Sequence, residues 1–185
     1  MRKKYFILFG TVACTAALLL AGCGGGENVE GDGKPTNAPV TGQNKTQGNG
    51  TGYLFESKGV TIGIDMEAAP ILEALGEADS YFEAPSCAFE GMDKMYTYGS
   101  FEIDTYEQNG KDYISGILFK DDMVATPEGV SLFMTKADMI KAYGETYTEE
   151  NGMLVYEKDS MKLKFLVEDD EITLIEYATT ALEVQ

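Results

Sequence analysis

The sequence predicts an α+β domain over residues 53–185, built as two tandem repeats in which a short helix packs on an antiparallel β-meander, the two sheets being free to join as one. Three observations predict it. The segment "GVTIGIDMEAAPILEALGE" from Gly59 lines up with "GVSLFMTKADMIKAYGE" from Gly129, with two extra residues in the first copy. Each copy is followed by short runs of alternating apolar and polar residues. Those runs are separated by Asn-Gly and Asp-Asp turn chemistry.

Taken in chain order, the first element is a secretory signal. Arg2, Lys3 and Lys4 precede an uncharged stretch from Tyr5 to Ala21. Its end, "LLLAGC", resembles the bacterial lipobox, which implies cleavage before Cys23 and alkylation of that thiol by diacylglycerol. A transmembrane helix needs about 17–25 apolar residues, and the cysteine with the abrupt "GGGEN" after it argues against one. Residues 1–22 are then the signal peptide, and 23–52 a lipidated cysteine with a Gly, Asn, Thr and Pro-rich tether that has almost nothing to bury. Two acyl chains hold a protein on a membrane where one does so only marginally. The expected location is the extracytoplasmic side of the cell membrane.

The first repeat, about 59–120, opens with an alternating strand (Val60, Ile62, Ile64), then Asp65 as helix cap, a helix with Ile71, Leu72 and Leu75 on one face, and Gly76 as its stop. The second, about 129–177, repeats this with Val130, Leu132 and Met134, Thr135 as cap with Asp138 at capping-box spacing, then Met139, Ile140 and Tyr143, then Gly144. The expected meander strands are Met95–Tyr98, Phe101–Tyr106 and Tyr113–Phe119, then Met153–Glu157, Met161–Val167 and Glu171–Tyr177. Met161, Leu163, Phe165 and Val167 supply a buried face opposite Lys162, Lys164 and Leu166.

The matching stretches "GIDM" with "ALGE" and "FMTK" with "AYGE" resemble the repeat of the beta-lactamase inhibitor protein and of the small lipoproteins of the outer-membrane barrel-assembly machinery. Phe133 stands where that repeat has a glycine, and Ala78 or Thr146 where a proline is frequent. The resemblance implies a concave sheet that grips a partner, and inhibition of a secreted enzyme as one reading. Fold does not carry function with it.

Composition excludes much chemistry. With no histidine, and no arginine beyond Arg2, the chain lacks the parts for Ser-His-Asp, Cys-His and HExxH catalysis and for arginine phosphate clamps. No enzyme activity and no cofactor are expected. Carboxylate pairs arise by chance among so many acids, and neither Asp121–Asp122 nor "EDDE" has the alternation of an EF-hand loop, so no metal site is assigned. Once the signal is removed, 11 lysines face 31 acids, a net charge near −20. Nucleic acid is excluded as a partner, and a basic protein or peptide fits better than an anionic one. High charge also serves solubility alone.

Between Glu77 and Tyr98 lie about ten more residues than between Glu145 and Tyr156, and "SYFEAPSCAFEGMDK" at 80–94 is that insertion. It either folds back as a lid, with Tyr81, Phe82 and Phe89 packed and Cys87 a small apolar residue inside, or it presents a contact loop. A second candidate surface joins Tyr96, Tyr98 and Tyr106 with Glu102 and Asp104 on one sheet face. The leading functional reading is a lipid-anchored protein- or peptide-binding module of the envelope. A small-ligand or calcium sensor is the alternative.

Overall fold

The computed structural model describes residues 51–87 and 89–183. The signal, Cys23 and nearly all of the tether lie outside the described residues. The domain is α+β, with two helices, a two-stranded antiparallel sheet and an eight-stranded antiparallel sheet. Strands β1 (Leu54–Ser57) and β2 (Val60–Gly63) form the small hairpin. Lys58 and Gly59, both at positive φ, make its two-residue turn. Helix α1 (Ala68–Leu75) follows, then β3 (Ser80–Pro85), β4 (Met92–Tyr98), β5 (Phe101–Gln108) and β6 (Lys111–Phe119). Helix α2 (Lys136–Tyr143) then leads to β7 (Thr148–Glu150), β8 (Met153–Lys158), β9 (Met161–Glu168) and β10 (Glu171–Thr179).

Strand order in the large sheet is β3-β4-β5-β6-β10-β9-β8-β7, so the last strand of each half meets the other at the centre, Ile117 opposite Tyr177. Each meander turns where the sequence supplies residues that tolerate positive φ: Asn109-Gly110, Asn151-Gly152 and Asp169-Asp170. The three strands expected in each meander form, each reaching one to three residues further at one or both ends. Strands β1, β3 and β7 come in addition.

Side-chain alternation decides the layers. On one face Ile103, Ile117, Phe119, Ile175, Phe165 and Tyr177 are buried under β1–β2 and the helices, which contribute Phe55, Ile62, Ile71, Leu75 and Met139. Burying a side chain of this size stabilises by roughly 1.5–3 kcal/mol, which is how a domain with no disulfide among its described residues holds together. Phe55 sits at the centre, its ring 5.0 Å from Phe101, 5.0 Å from Phe119 and 6.3 Å from Tyr177. The opposite face carries the row Thr97, Glu102, Leu118, Glu176 and Lys164.

Three local expectations are corrected. Residues 130–134 form no strand, although Val130 and Leu132 are buried. The backbone there closes on itself, Thr126 N–H donating to Val130 O and Val130 N–H to Thr126 Oγ1, with no neighbour playing the part β1 plays for β2. Asp65 does not cap α1, whose N-cap position is Glu67 with no side-chain bond. Asp65 adopts φ 61° and accepts from Thr179 Oγ1 (2.8 Å), Tyr106 Oη (3.2 Å) and Ser160 Oγ (3.1 Å). In α2, by contrast, Thr135 and Asp138 form the expected capping box.

The third correction concerns register. Asp65 N–H donates to Ile114 O, and Ile114 N–H to Met66 O; Phe133 N–H donates to Ile172 O, and Ile172 N–H to Met134 O. Asp65 and Phe133, each at positive φ, therefore occupy like positions. This aligns Ile62, Ile64 and Met66 with Val130, Leu132 and Met134, one pleat away from the alignment that the two leading Gly-Val pairs suggest.

Candidate binding site

The two outer hairpins of the large sheet differ in length. Phe82 pairs with Met95 and Glu150 with Met153, but twelve residues, 83–94, separate the first pair and only Asn151-Gly152 the second. The inserted residues lengthen the hairpin: Glu83 pairs with Lys94, Ala84 with Asp93 and Pro85 with Met92, and Ser86 N–H donates to Gly91 O. The "SYFEAP" stretch is thus the edge strand β3 and its arm, with Cys87 exposed at the far end. Packing of Cys87 in a satellite core is overturned, because the turn carries it past the last paired residues.

The aromatic residues of this hairpin divide. Phe89 is half-buried with its ring edge-on to Tyr106 at 6.1 Å, which ties the turn to β5. Tyr81 is 51 % exposed, packs on Tyr96 at 4.9 Å and donates its hydroxyl to Glu83, which holds the phenol above its ordinary pKa. Phe82 is 61 % exposed and lies on the other face beside Met95, which is also exposed.

The second expected surface does not assemble on one face. Tyr98 pairs with Phe101 and Tyr96 with Ile103, whereas Met95 pairs with Asp104 and Thr97 with Glu102. Tyr96 and Tyr98 therefore share the core side and the two acids lie opposite. Tyr98 is buried, stacked on Phe101 at 5.4 Å, and its hydroxyl donates to Gly76 O at 3.3 Å, closing the end of α1. Tyr156 does the same for α2 through Gly144 O at 2.6 Å. Tyr106 is buried too, its pKa pushed up to about 12 by burial and by Asp65.

What the register brings together instead is a groove of about 300 Å³ on the acidic face, lined by Phe82, Asp93, Met95 and Asp104, with Lys94, Thr105 and Ser115 completing its wall. Asp104 is half-buried, and its carboxyl is pushed up to about 6 by burial, then by Glu102, Glu176 and Asp93. Neighbouring lysines are already engaged. Lys94 binds both oxygens of Asp112 (2.7 and 2.9 Å), Lys120 reaches Glu102 (3.7 Å) and Lys164 reaches Glu176 (3.5 Å). Glu102 is buried and also accepts from Thr97 Oγ1 at 3.1 Å. Gly116, across from Asp104, leaves room for this carboxylate, since a Cβ there would lie 3.3 Å from Asp104 Oδ2.

Sequence reasoning named Phe82 and Asp104 but separately, and missed Met95, Asp93 and Gly116. The available signal was Gly116 inside a strand, which marks a close approach. Among the described residues no group of three or more Asp, Glu, Cys or His is placed to hold a metal ion, and no helix is long and apolar enough to cross a membrane. Comparison of the chain with protein-family models, with curated proteins and with solved structures gives no match.

Proposed function

We propose that this chain is a lipoprotein held on the outer side of the membrane through Cys23, and that its folded domain is a protein- or peptide-binding module of the cell envelope. The observation that carries the binding reading is the β3–β4 edge hairpin, on which Phe82 and Met95 stand together as exposed large side chains on one face while Tyr81 is exposed on the other. Adjacent exposed apolar groups at an unpaired edge are a feature of surfaces that engage partners. The low proportion of lysine favours a basic partner. We further propose that the two halves are tandem copies of one unit. The matching Tyr98–Gly76 and Tyr156–Gly144 bonds, and the bulges at Ser115 and at Thr173 in strands β6 and β10, support common descent.

The test uses the whole lipidated chain in envelope membranes. Partners recovered by cross-linking are compared with those of a variant in which 81–96, and with them Tyr81, Phe82 and Met95, are replaced by Asn-Gly, the turn of the second half. Loss of a partner from the variant, and weakening of its capture by salt, are expected. Equal recovery of every partner removes the hairpin from the binding surface. Mass analysis of the mature amino terminus, alongside Cys23→Ser, checks the anchor.

A further inference from the structure

Within the peptide-binding reading, on which this inference rests, the groove beside the hairpin identifies the chemistry of its occupant. Its floor and wall present two opposed characters. Phe82 and Met95 offer exposed apolar surface, and Asp104 and Asp93 offer carboxylates. Asp104 has neither a hydrogen bond nor an ion pair among the described residues, and each charged group that acts on it is an acid: Glu102, Glu176 and Asp93. A carboxylate removed from water in this way is costly unless a cation or donors meet it. The lysines nearby cannot supply that cation, because Asp112, Glu102 and Glu176 hold Lys94, Lys120 and Lys164. Gly116 keeps the carboxylate in place by omitting the side chain that would displace it.

We propose that the groove receives the side chain of a lysine or arginine carried on an extended partner peptide, its methylene stem lying on Phe82 and Met95 and its charged head meeting Asp104 and Asp93. Charge complementarity selects this occupant. A neutral side chain would bury Asp104 further with no compensation. A basic side chain satisfies both characters at once, since its stem is apolar while its head donates hydrogen bonds, and the Phe82 ring attracts a cation over its face. A free amine would meet the carboxylates, but it would leave unused the edge of β3 beside them.

The experiment follows the amide signals of Gly116, Asp104 and Phe82 in the whole chain during titration with acetyl-Thr-Val-Lys-Val-Thr-amide. Arginine and norleucine versions of the same peptide, and spermidine, form the other arms. Lysine and arginine peptides are expected to shift these signals, and the norleucine peptide to bind about tenfold more weakly, the factor set by one charge-assisted hydrogen bond. Asp104→Asn should bring the lysine peptide down to the norleucine level, and Phe82→Ala should weaken all three peptides. Equal binding of lysine and norleucine peptides overturns the cation pocket while leaving peptide binding intact. Binding of spermidine alone overturns the peptide as its source. If the Asn-Gly hairpin variant retains every envelope partner, the binding reading itself fails, whatever the peptides do.

Discussion

The hairpins at the two ends of the large sheet start from like positions and end differently. On β7–β8 the turn comes at once, through Asn151-Gly152, and the edge is three residues long. Glu150 at its end is held by Lys162 at 2.9 Å. On β3–β4 the corresponding place is Phe82, with no ion pair to cover it, and strand pairing continues for three further residues on each side, to Pro85 and Met92. A short, charged edge resists unwanted pairing, whereas a long edge with exposed aromatics invites it. The difference teaches that the two ends of the sheet differ in length and charge while its centre is held by one shared core. One end of the sheet is closed by the Glu150–Lys162 pair, and the other leaves Phe82 exposed.

The largest expected effect tests the shared centre. Phe55 comes from the β1–β2 hairpin, which precedes α1 and has no counterpart before α2, yet its ring touches Phe101 and Phe119 of the first half and Tyr177 of the second. Phe55→Ala should destabilise the whole domain by about 3–5 kcal/mol in urea unfolding. The transition should stay single. If the second half kept its own transition, the two halves would be independent units and the comparison would need recasting.

The next effect is smaller and opposite in sign. Asp104 is the groove carboxylate whose folded pKa, about 6, lies above the ordinary value near 4 because burial and acidic neighbours disfavour its charge. Below the unfolded value the carboxyl is protonated in both states and contributes nothing. As pH rises through the interval between the two values the folded state resists ionisation, and above 6 the full penalty applies. Asp104→Asn should therefore stabilise the empty domain at pH 7 by on the order of 2 kcal/mol, with no gain at pH 3. A destabilised variant at pH 7 would mean that Asp104 holds the fold together, and the open end would lose its distinguishing group.

How much of this could be read from sequence depends on whether one strand or a pair of strands decides the feature. Alternation along Met161–Val167 and the Asn109-Gly110 turn are local, and both were legible. Strand β3 was not, because an edge strand exposed on nearly every residue has no alternation, and Pro85 and Cys87 gave it the look of a loop. Val130, Leu132 and Met134 alternate as a strand does, yet only Phe133 and Met134 bond to a neighbour, Ile172 at the start of β10, while Val130 bonds back to Thr126. The misplaced tyrosines show the cost of register. With a two-residue turn at Gly99-Ser100, Tyr98 must face Phe101, and an assignment one residue out moves every side chain to the wrong face. The groove depended on four strands in register, which no single run of residues encodes.

The smallest effect lies in the helices, where the two halves have like backbones and unlike caps. In α2 Thr135 Oγ1 accepts from Asp138 N–H at 3.2 Å while Asp138 Oδ2 accepts from Thr135 N–H at 3.2 Å, and the Asp138 carboxyl is held below its ordinary pKa by the Thr135 bonds. In α1 the same position is Glu67, which makes no cap bond and instead pairs with Lys111 at 2.9 Å near the β5–β6 turn. Thr135→Ala should cost about 1 kcal/mol. Glu67→Ala should change stability by no more than about 0.5 kcal/mol, as for an exposed ion pair. The sign of the pH dependence separates them further. Asp138 stabilises above its unfolded pKa and loses that contribution as pH falls through its lower folded value, so the cost of Thr135→Ala should shrink in acid. Equal costs for the two substitutions across pH would mean that α1 relies on a cap other than the one its geometry displays, and that the halves are more alike at their helices than at their hairpins.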